Sequence, residues 1–398
     1  MGKAEDWFKF LDRCIRDPEH KEEVNESIDH CITLIREGYG TDEIRKRLGI
    51  GKRDNAIITE IGHSRIDIQG KFEKWNRLWM DEYLSRYSTP EVVCRYRAKR
   101  IENFSIIEAG SGAGMQSIFL SLSNSNTLGI ELRPERFLMA RLNAMEYKTR
   151  NLKYLNGDIY ALSTSFEIDD NTLIFSDPAR PPAEGKRGMG SLLPSPEALI
   201  KVFGGKTSNF VFDLPPQMAW ERITISGEKE YLSIDGSLNR LTLYCGALSR
   251  NETSAVVLPS GAYYGGIPRE PKPPSDSAAE EYLLIPDISL VYGKLLWKLE
   301  DEFAITPLMR DRRRHIYTSH QRFDGFPGEQ YRVLDVCGRE QIHSRLAGTN
   351  SGRVFPRFTI PDTEYYPFRK ELESGLSGSG DAYIFLNGEQ YIIAEKAS

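Results

Sequence analysis

Histidine and cysteine are scarce in this chain of 398 residues, six and five respectively. The cysteines Cys14, Cys31, Cys94, Cys245 and Cys337 are odd in number and show no paired spacing, so they outline neither a disulfide framework nor a zinc site. All five are expected to be reduced and mostly buried, Cys94 and Cys337 as core thiols rather than nucleophiles. His315 and His320 stand beside arginines and read as surface or phosphate-facing groups, which leaves no metal to expect. No apolar run approaches the roughly 18 residues of a bilayer span. The amino terminus sets Lys3, Glu5, Asp6 and Lys9 around Trp7 and Phe8, unlike a secretory leader, so a cytoplasmic protein without a membrane partner is expected. Excess positive charge is also missing. With 52 basic and 57 acidic side chains the net charge is -5, which excludes an indiscriminate polycation. No DNA partner is expected, and an RNA partner would need a local patch.

Hydrophobic residues make up 40% and charged ones 27%, the balance of an ordinary globular chain of two or three folding units. Residues 1–100 read as a helical domain. Trp7, Phe8, Phe10, Leu11, Cys14 and Ile15, then Val24, Ile28, Cys31, Ile32 and Ile35, recur at helical spacing, and Gly38 and Gly40 mark a stop before a helix capped by Thr41. From residue 101 to 265 the pattern changes to short apolar runs at 104–107, 127–130, 173–175 and 209–212. Helix-like stretches such as 134–147 separate them, as in a parallel sheet with crossover helices. Runs at 241–245 and 255–258 would extend that sheet. The segment 265–281 has the proline, glycine and charge of an exposed linker. Residues 266–398 then read as α+β, with a helix over 291–303, a strand over 332–336 and a closing hairpin turning at Asn387-Gly388.

The chemistry gathers at Glu108-Ala109-Gly110-Ser111-Gly112-Ala113-Gly114, which follows a strand and opens a helix. Gly110, Gly112 and Gly114 would let backbone approach a ligand at the strand's carboxyl end. A diphosphate-binding loop would carry glycine where Met115 stands, and a carboxylate such as Glu108 is a poor neighbour for phosphate. It suits a ligand bearing an ammonium and a sulfonium, as S-adenosylmethionine does. Glu131 closes the second strand, where its two oxygens could accept from ribose hydroxyls. Asp158, expected to close the third with Ile159 beside it, could accept from an adenine amine. One such acid alone would read as an ordinary strand-end group; the ordered set is what points to a donor site.

These residues resemble the class I S-adenosylmethionine-dependent methyltransferases. Asp177-Pro178-Ala179-Arg180, Ser88-Thr89-Pro90-Glu91-Val92-Val93 with Arg95, Tyr96, Arg97 and Arg100, and Tyr282-Leu283-Leu284-Ile285-Pro286-Asp287 narrow the likeness to the subgroup with a carboxy-terminal THUMP-like domain. The resemblance runs from about residue 70 to the end. It implies a Rossmann-like methyltransferase sheet, preceded by the helical domain and followed by a small α+β THUMP-like domain, with S-adenosylmethionine held by Glu108, Gly110, Gly112, Gly114, Glu131, Asp158 and Ile159. Related nitrogen methyltransferases carry Asp/Asn-Pro-Pro-aromatic after the fourth strand. Here Asp177 can orient a nucleophile, while Arg180 puts a flat cation in place of the ring, so both are expected in catalysis. Asp213-Leu214-Pro215-Pro216 after the fifth strand reads as a pocket wall or a plain strand stop.

Residues 310–357 hold ten arginines against five acids. Arg310, Arg312, Arg313, Arg314 and Arg322 alternate with His315, Tyr317, His320 and Phe323, mixing phosphate-binding cations with rings able to stack on unpaired bases. Salt-bridged surface turns would look the same. The leading expectation is therefore an enzyme methylating a base in tRNA or rRNA. The alternatives are a protein or small-molecule methyltransferase, or a non-catalytic RNA-binding protein that retains a donor pocket.

Overall fold

The computed structural model describes residues 2–179, 189–311 and 314–397. Its contacts divide the chain into one unit of Met1–Gly227 with Thr242–Ser249 and another of Glu228–Leu241 with Arg250–Ser398.

In the first unit, α1 (Lys3–Arg16) sets Trp7, Phe10, Leu11 and Cys14 along one face, and all four are buried. α2 (Pro18–Arg36) starts where the Asp17 carboxylate accepts from the backbone N–H groups of Glu19 and His20, with Pro18 in the first turn. Thr41 is the first residue of α3 (Thr41–Leu48) rather than its cap; extended Gly40 takes the cap position. α4 (Lys52–Asp67), α5 (Glu82–Tyr87) and α6 (Glu91–Arg100) complete the helical part. Strands and helices then alternate: β1 (Ser105–Ala109), α7 (Met115–Ser121), β2 (Asn126–Glu131), α8 (Pro134–Tyr147), β3 (Leu152–Asn156), α9 (Ile159–Leu162), β4 (Thr172–Ser176), α10 (Pro196–Phe203) and β5 (Asn209–Leu214). β1 pairs in parallel with β2 and β4, β2 with β3, and β4 with β5. The resulting order, β3-β2-β1-β4-β5, reverses direction between β1 and β4, and such a switch point opens a crevice at the carboxyl ends of the strands. β4 and β5 are buried along their whole length, which is why they read as unbroken apolar runs.

The boundary expected near residue 100 does not separate two cores. Trp7, Phe10, Ile28 and Ile58 share one buried cluster with Ile118, Phe119, Leu138 and Leu142. α7 is buried on all sides, so it needs cover beyond the sheet, and the amphipathic helices of the first hundred residues supply it.

The second unit contains β6 (Glu228–Ile234), β7 (Ser237–Tyr244, whose last three residues belong to the first unit), β8 (Thr253–Leu258) and β9 (Ala262–Gly266), in the order β7-β6-β8-β9. It continues with β10 (Tyr282–Pro286), α11 (Ile288–Tyr292), α12 (Leu296–Phe303), β11 (Thr306–Asp311), β12 (Arg314–Ser319), β13 (Gly328–Cys337), α13 (Ile342–Ala347), β14 (Ser351–Pro356), α14 (Asp362–Glu373), β15 (Gly380–Asn387) and β16 (Gln390–Lys396). A seven-stranded sheet runs β11-β12-β10-β13-β16-β15-β14. The boundary expected at residue 265 moves to the start of β6, because Ala255 of β8 is buried in one cluster with Leu284, Leu290, Leu296 and Tyr317. Residues 267–281 form no helix or strand, as a loop composition implies. The helix expected over 291–303 breaks into α11 and α12 at Gly293 and Lys294, the latter at φ 54°. The closing hairpin forms with Asn387 paired to Gln390, so the turn is Gly388-Glu389, one residue later than expected, with Gly388 at φ 60°.

Candidate active site at the carboxyl ends of the strands

β1 delivers the glycine loop to the crevice with Gly110, Gly112 and Gly114 at φ 84°, 55° and 79°, a region that other residues occupy only with strain. The Gly110 and Ser111 N–H groups donate to the carbonyl of Ile130 at 2.9 and 3.0 Å, binding the loop to β2. A side chain at Gly114 would collide with Tyr154 and stand 2.9 Å from Ala140 Cβ. The Tyr154 hydroxyl donates to the Gly114 carbonyl at 3.1 Å.

Glu131 holds this loop directly. Its Oε2 accepts from Gly112 N–H at 2.8 Å and its Oε1 from Arg133 N–H at 2.9 Å, which leaves one lone pair on each oxygen for a further donor. The end of β3 is tied to the same residue: Asn156 Nδ2 and Gly157 N–H donate to the Glu131 carbonyl at 2.8 and 3.0 Å. Asp158 does not close β3, which ends at Asn156. It is exposed and caps α9, accepting from Tyr160 N–H at 2.9 Å, because the chain turns into a helix at once; Ile159 behind it is buried. Leu132, next to Glu131, and Leu155 on β3 are 65% and 42% exposed, an apolar surface beside these acids.

Glu108 is buried under the loop, and the Ser117 hydroxyl from α7 donates to its carboxylate. Burial pushes this carboxyl up to about 8, with the nearby charge of Asp177 adding to the push, while the Ser117 bond and the Arg97 cation pull the other way. The Tyr154 phenol is also driven well above its ordinary value, by burial and then by Glu108.

Asp177 follows β4, half-buried, and accepts from Thr89 Oγ1 at 3.3 Å. Ser176, just before it, donates to the Ala109 carbonyl at 3.0 Å, locking the ends of β4 and β1 together. Beyond it, Ala179 and Leu193 exchange backbone hydrogen bonds at 2.9 and 3.0 Å. Arg180 lies outside the described residues, as do Arg312 and Arg313.

Two partners escaped the sequence reading. Thr89 was part of a recognised motif but carried no role of its own. Asp213 is no pocket wall: it is buried and ion-paired with Arg97 of α6 at 2.5 Å, and Thr242 Oγ1 donates to it at 2.7 Å. The available signal was an acid following the apolar run Phe210-Val211-Phe212 in a strand buried along its whole length, which demands a buried cation. Ser111 Oγ and both amide atoms of Gln116 are buried with no partner among the described residues, so polar groups beside the loop are left for something else to satisfy.

The arginines of residues 314–357 are engaged by acids. Arg314 donates to the Arg357 carbonyl and lies 3.7 Å from Asp311, and Arg322 lies 3.9 Å from Asp324. Arg332, Arg339, Arg345 and Arg353 pair with Glu395, Glu371, Asp335 and Asp381 at 2.5, 3.1, 3.4 and 2.7 Å, and Arg357 pairs with Glu329. Arg310 is exposed on β11 opposite His315. His315 and Tyr317 are buried, Tyr317 donating to Glu300 at 2.9 Å, so neither ring is presented to a base. β12 is an inner strand of its sheet, and that position hides them. All five cysteines are buried, and none is joined in a disulfide among the described residues. Among the described residues no helix is long and apolar enough to cross a membrane.

No family model and no curated protein matches the sequence. Among solved structures, a candidate methyltransferase from Porphyromonas gingivalis W83 superposes with a TM-score of 0.73 at 15% identity, covering 95% of this chain and 99% of its own. That likeness shows a shared α/β, Rossmann-like methyltransferase fold. Precorrin-6y C5,15-methyltransferase from Geobacter metallireducens GS-15 matches at TM-score 0.26 and 15% identity over 34% of this chain and 66% of its own. M. jannaschii TYW2 in complex with AdoMet matches at TM-score 0.25 and 18% identity over 34% and 57%.

Proposed function

We propose that the protein is an S-adenosylmethionine-dependent methyltransferase acting on a base in tRNA or rRNA. The observation that carries the donor assignment is the tie between the glycine loop and Glu131 at the strand tips, with Glu108 buried beneath the loop. The residues fit the group. The free lone pairs of Glu131 suit two ribose hydroxyls, Leu132 and Ile159 offer apolar contact to adenine, and Asp158 can accept from its amine. Glu108, which burial keeps protonated at neutral pH, would lose its proton and answer the positive charge once a cationic donor lies above it, and the unpartnered Ser111 and Gln116 side chains leave polar capacity near the amino-acid end. When bound, the donor supplies a methyl group on a good leaving group, so the protein's own task is to position a nucleophile. Asp177, oriented by Thr89, accepts from the nucleophile, and Arg180 stacks on the base or pairs with a phosphate. The RNA assignment rests on the resemblance to the THUMP-like subgroup, whose namesake domain occurs in RNA-modifying enzymes, carried by Asp177-Pro178-Ala179-Arg180 together with the segments 88–93 and 282–287. Action in the cytoplasm agrees with five thiols outside any disulfide among the described residues.

The ion pairing of Arg314, Arg322 and their neighbours favours a second reading, a protein or small-molecule substrate. Two measurements decide. Calorimetry with S-adenosylmethionine should show binding that weakens at least tenfold in Glu131→Ala; unchanged affinity there removes the donor site. Radiolabelled donor with RNA from a strain lacking the gene should label RNA, and label appearing only in protein or metabolite fractions would establish the second reading.

A further inference from the structure

With the arginines of residues 314–357 each beside an acid, a single strand would need other holds, and α5 offers them beside the reacting end of the sheet. Tyr83 and Tyr87, one helical turn apart, are 42% and 56% exposed. Their ring centroids lie 4.7 Å apart, tilted by 46°. The Arg136 guanidinium lies over the Tyr83 ring at 4.6 Å and that of Arg86 near the Tyr87 ring at 5.5 Å. Arg86 is exposed and makes no ion pair among the described residues.

The other face of α5 is held by the candidate active site. Leu84 is buried and packs so near the glycine loop that a Cβ on Gly112 would meet its Cδ2 at 3.3 Å. Two residues beyond Tyr87, Thr89 donates to Asp177. Two residues of chain span at most about 7 Å, so the backbone of Tyr87 lies near that of the residue that holds Asp177. Scattered exposed aromatics need no explanation. A neighbouring pair of rings with a guanidinium on each, at the rim of a cleft, is the arrangement on which unpaired bases stack whatever their sequence. The acids of the helix oppose this only in part. Asp81 is occupied, accepting from Leu84 N–H at 2.7 Å and lying 3.7 Å from Arg136, whereas exposed Glu82 would repel a phosphate.

We propose that Tyr83 and Tyr87, flanked by Arg86 and Arg136, form a stacking platform for the unpaired bases next to the target nucleotide of an RNA substrate. This rests on the reading of the crevice as an RNA methyltransferase site. The test is fluorescence anisotropy with a short, labelled, mixed-sequence single-stranded RNA, run beside calorimetry with S-adenosylmethionine. Tyr83→Ala/Tyr87→Ala should bind the RNA about tenfold or more weakly. Tyr83→Phe/Tyr87→Phe should stay within about twofold of wild type because the rings remain, and Glu82→Gln should bind more tightly. Donor affinity should be the same in all four proteins. Equal RNA affinity in the alanine variant and wild type overturns the platform, as does equal loss in the phenylalanine and alanine variants. Wild type that binds donor but not RNA also overturns it and assigns the α5 face to a peptide or to no partner. Wild type that binds no donor overturns the methyltransferase reading itself.

Discussion

Glu108→Gln isolates what burial of a carboxyl beneath the glycine loop costs. The side chain is 2% exposed, and its carboxyl is pushed from 4.5 up to about 8 by burial, with Asp177 adding to the effect. Between those values the folded chain keeps a proton that the unfolded chain has released, so this residue's contribution falls as pH rises from about 4.5 to about 8. The full span corresponds to roughly 4 to 5 kcal/mol as an upper limit, which water entry and side-chain relaxation reduce. Glutamine keeps the shape and an acceptor for the Ser117 hydroxyl but does not titrate. Urea unfolding should therefore give variant and wild type similar stabilities near pH 5, with the variant ahead by roughly 2 to 4 kcal/mol near pH 9. Two stability curves that run parallel across this range would refute the argument, because Glu108 would then already be ionised in the folded chain at neutral pH.

Gly114→Ala should destabilise severely, since it forces a side chain against Tyr154 and Ala140 at φ 79°; adding Tyr154→Phe should recover part of the lost melting temperature, and no recovery would mean that the backbone strain dominates. Arg97→Met should cost roughly 3 to 5 kcal/mol in urea unfolding by stranding buried Asp213, and Arg97→Met/Asp213→Leu should cost clearly less than the two single changes added together. Asp177→Asn should abolish methyl incorporation while leaving calorimetric donor affinity within about threefold of wild type, and a comparable loss of donor binding would place Asp177 in the donor pocket instead. A thiol reagent should find all five cysteines unreactive in the folded chain and reactive in denaturant, as burial and the raised Cys14 thiol, at about 12, require.

Local chemistry made much of this molecule readable. Trp7, Phe10, Leu11 and Cys14 bury one face of α1 because their spacing is that of the helix, and 134–147 is helical with Pro134 in its first turn. β4 and β5 were visible as apolar runs, and the three glycines sit at positive φ because the turn from β1 into α7 requires it. Glu131 was placed at its strand end by the same counting. Other features depend on which distant segments meet. Asp158 became a helix cap once the chain turned at Gly157, Asp213 found Arg97 across 116 residues of sequence, and Arg332, Arg339, Arg345, Arg353 and Arg357 met acids supplied by other strands and helices. The boundaries expected at residues 100 and 265 failed for the same cause. A sequence states which surfaces are apolar or charged, but which surface covers α7, or which acid reaches Arg332, follows from packing. Periodicity and turn chemistry act between near neighbours and survive in one dimension, whereas burial and ion pairing are relations between segments, and those exist once the chain has closed on itself.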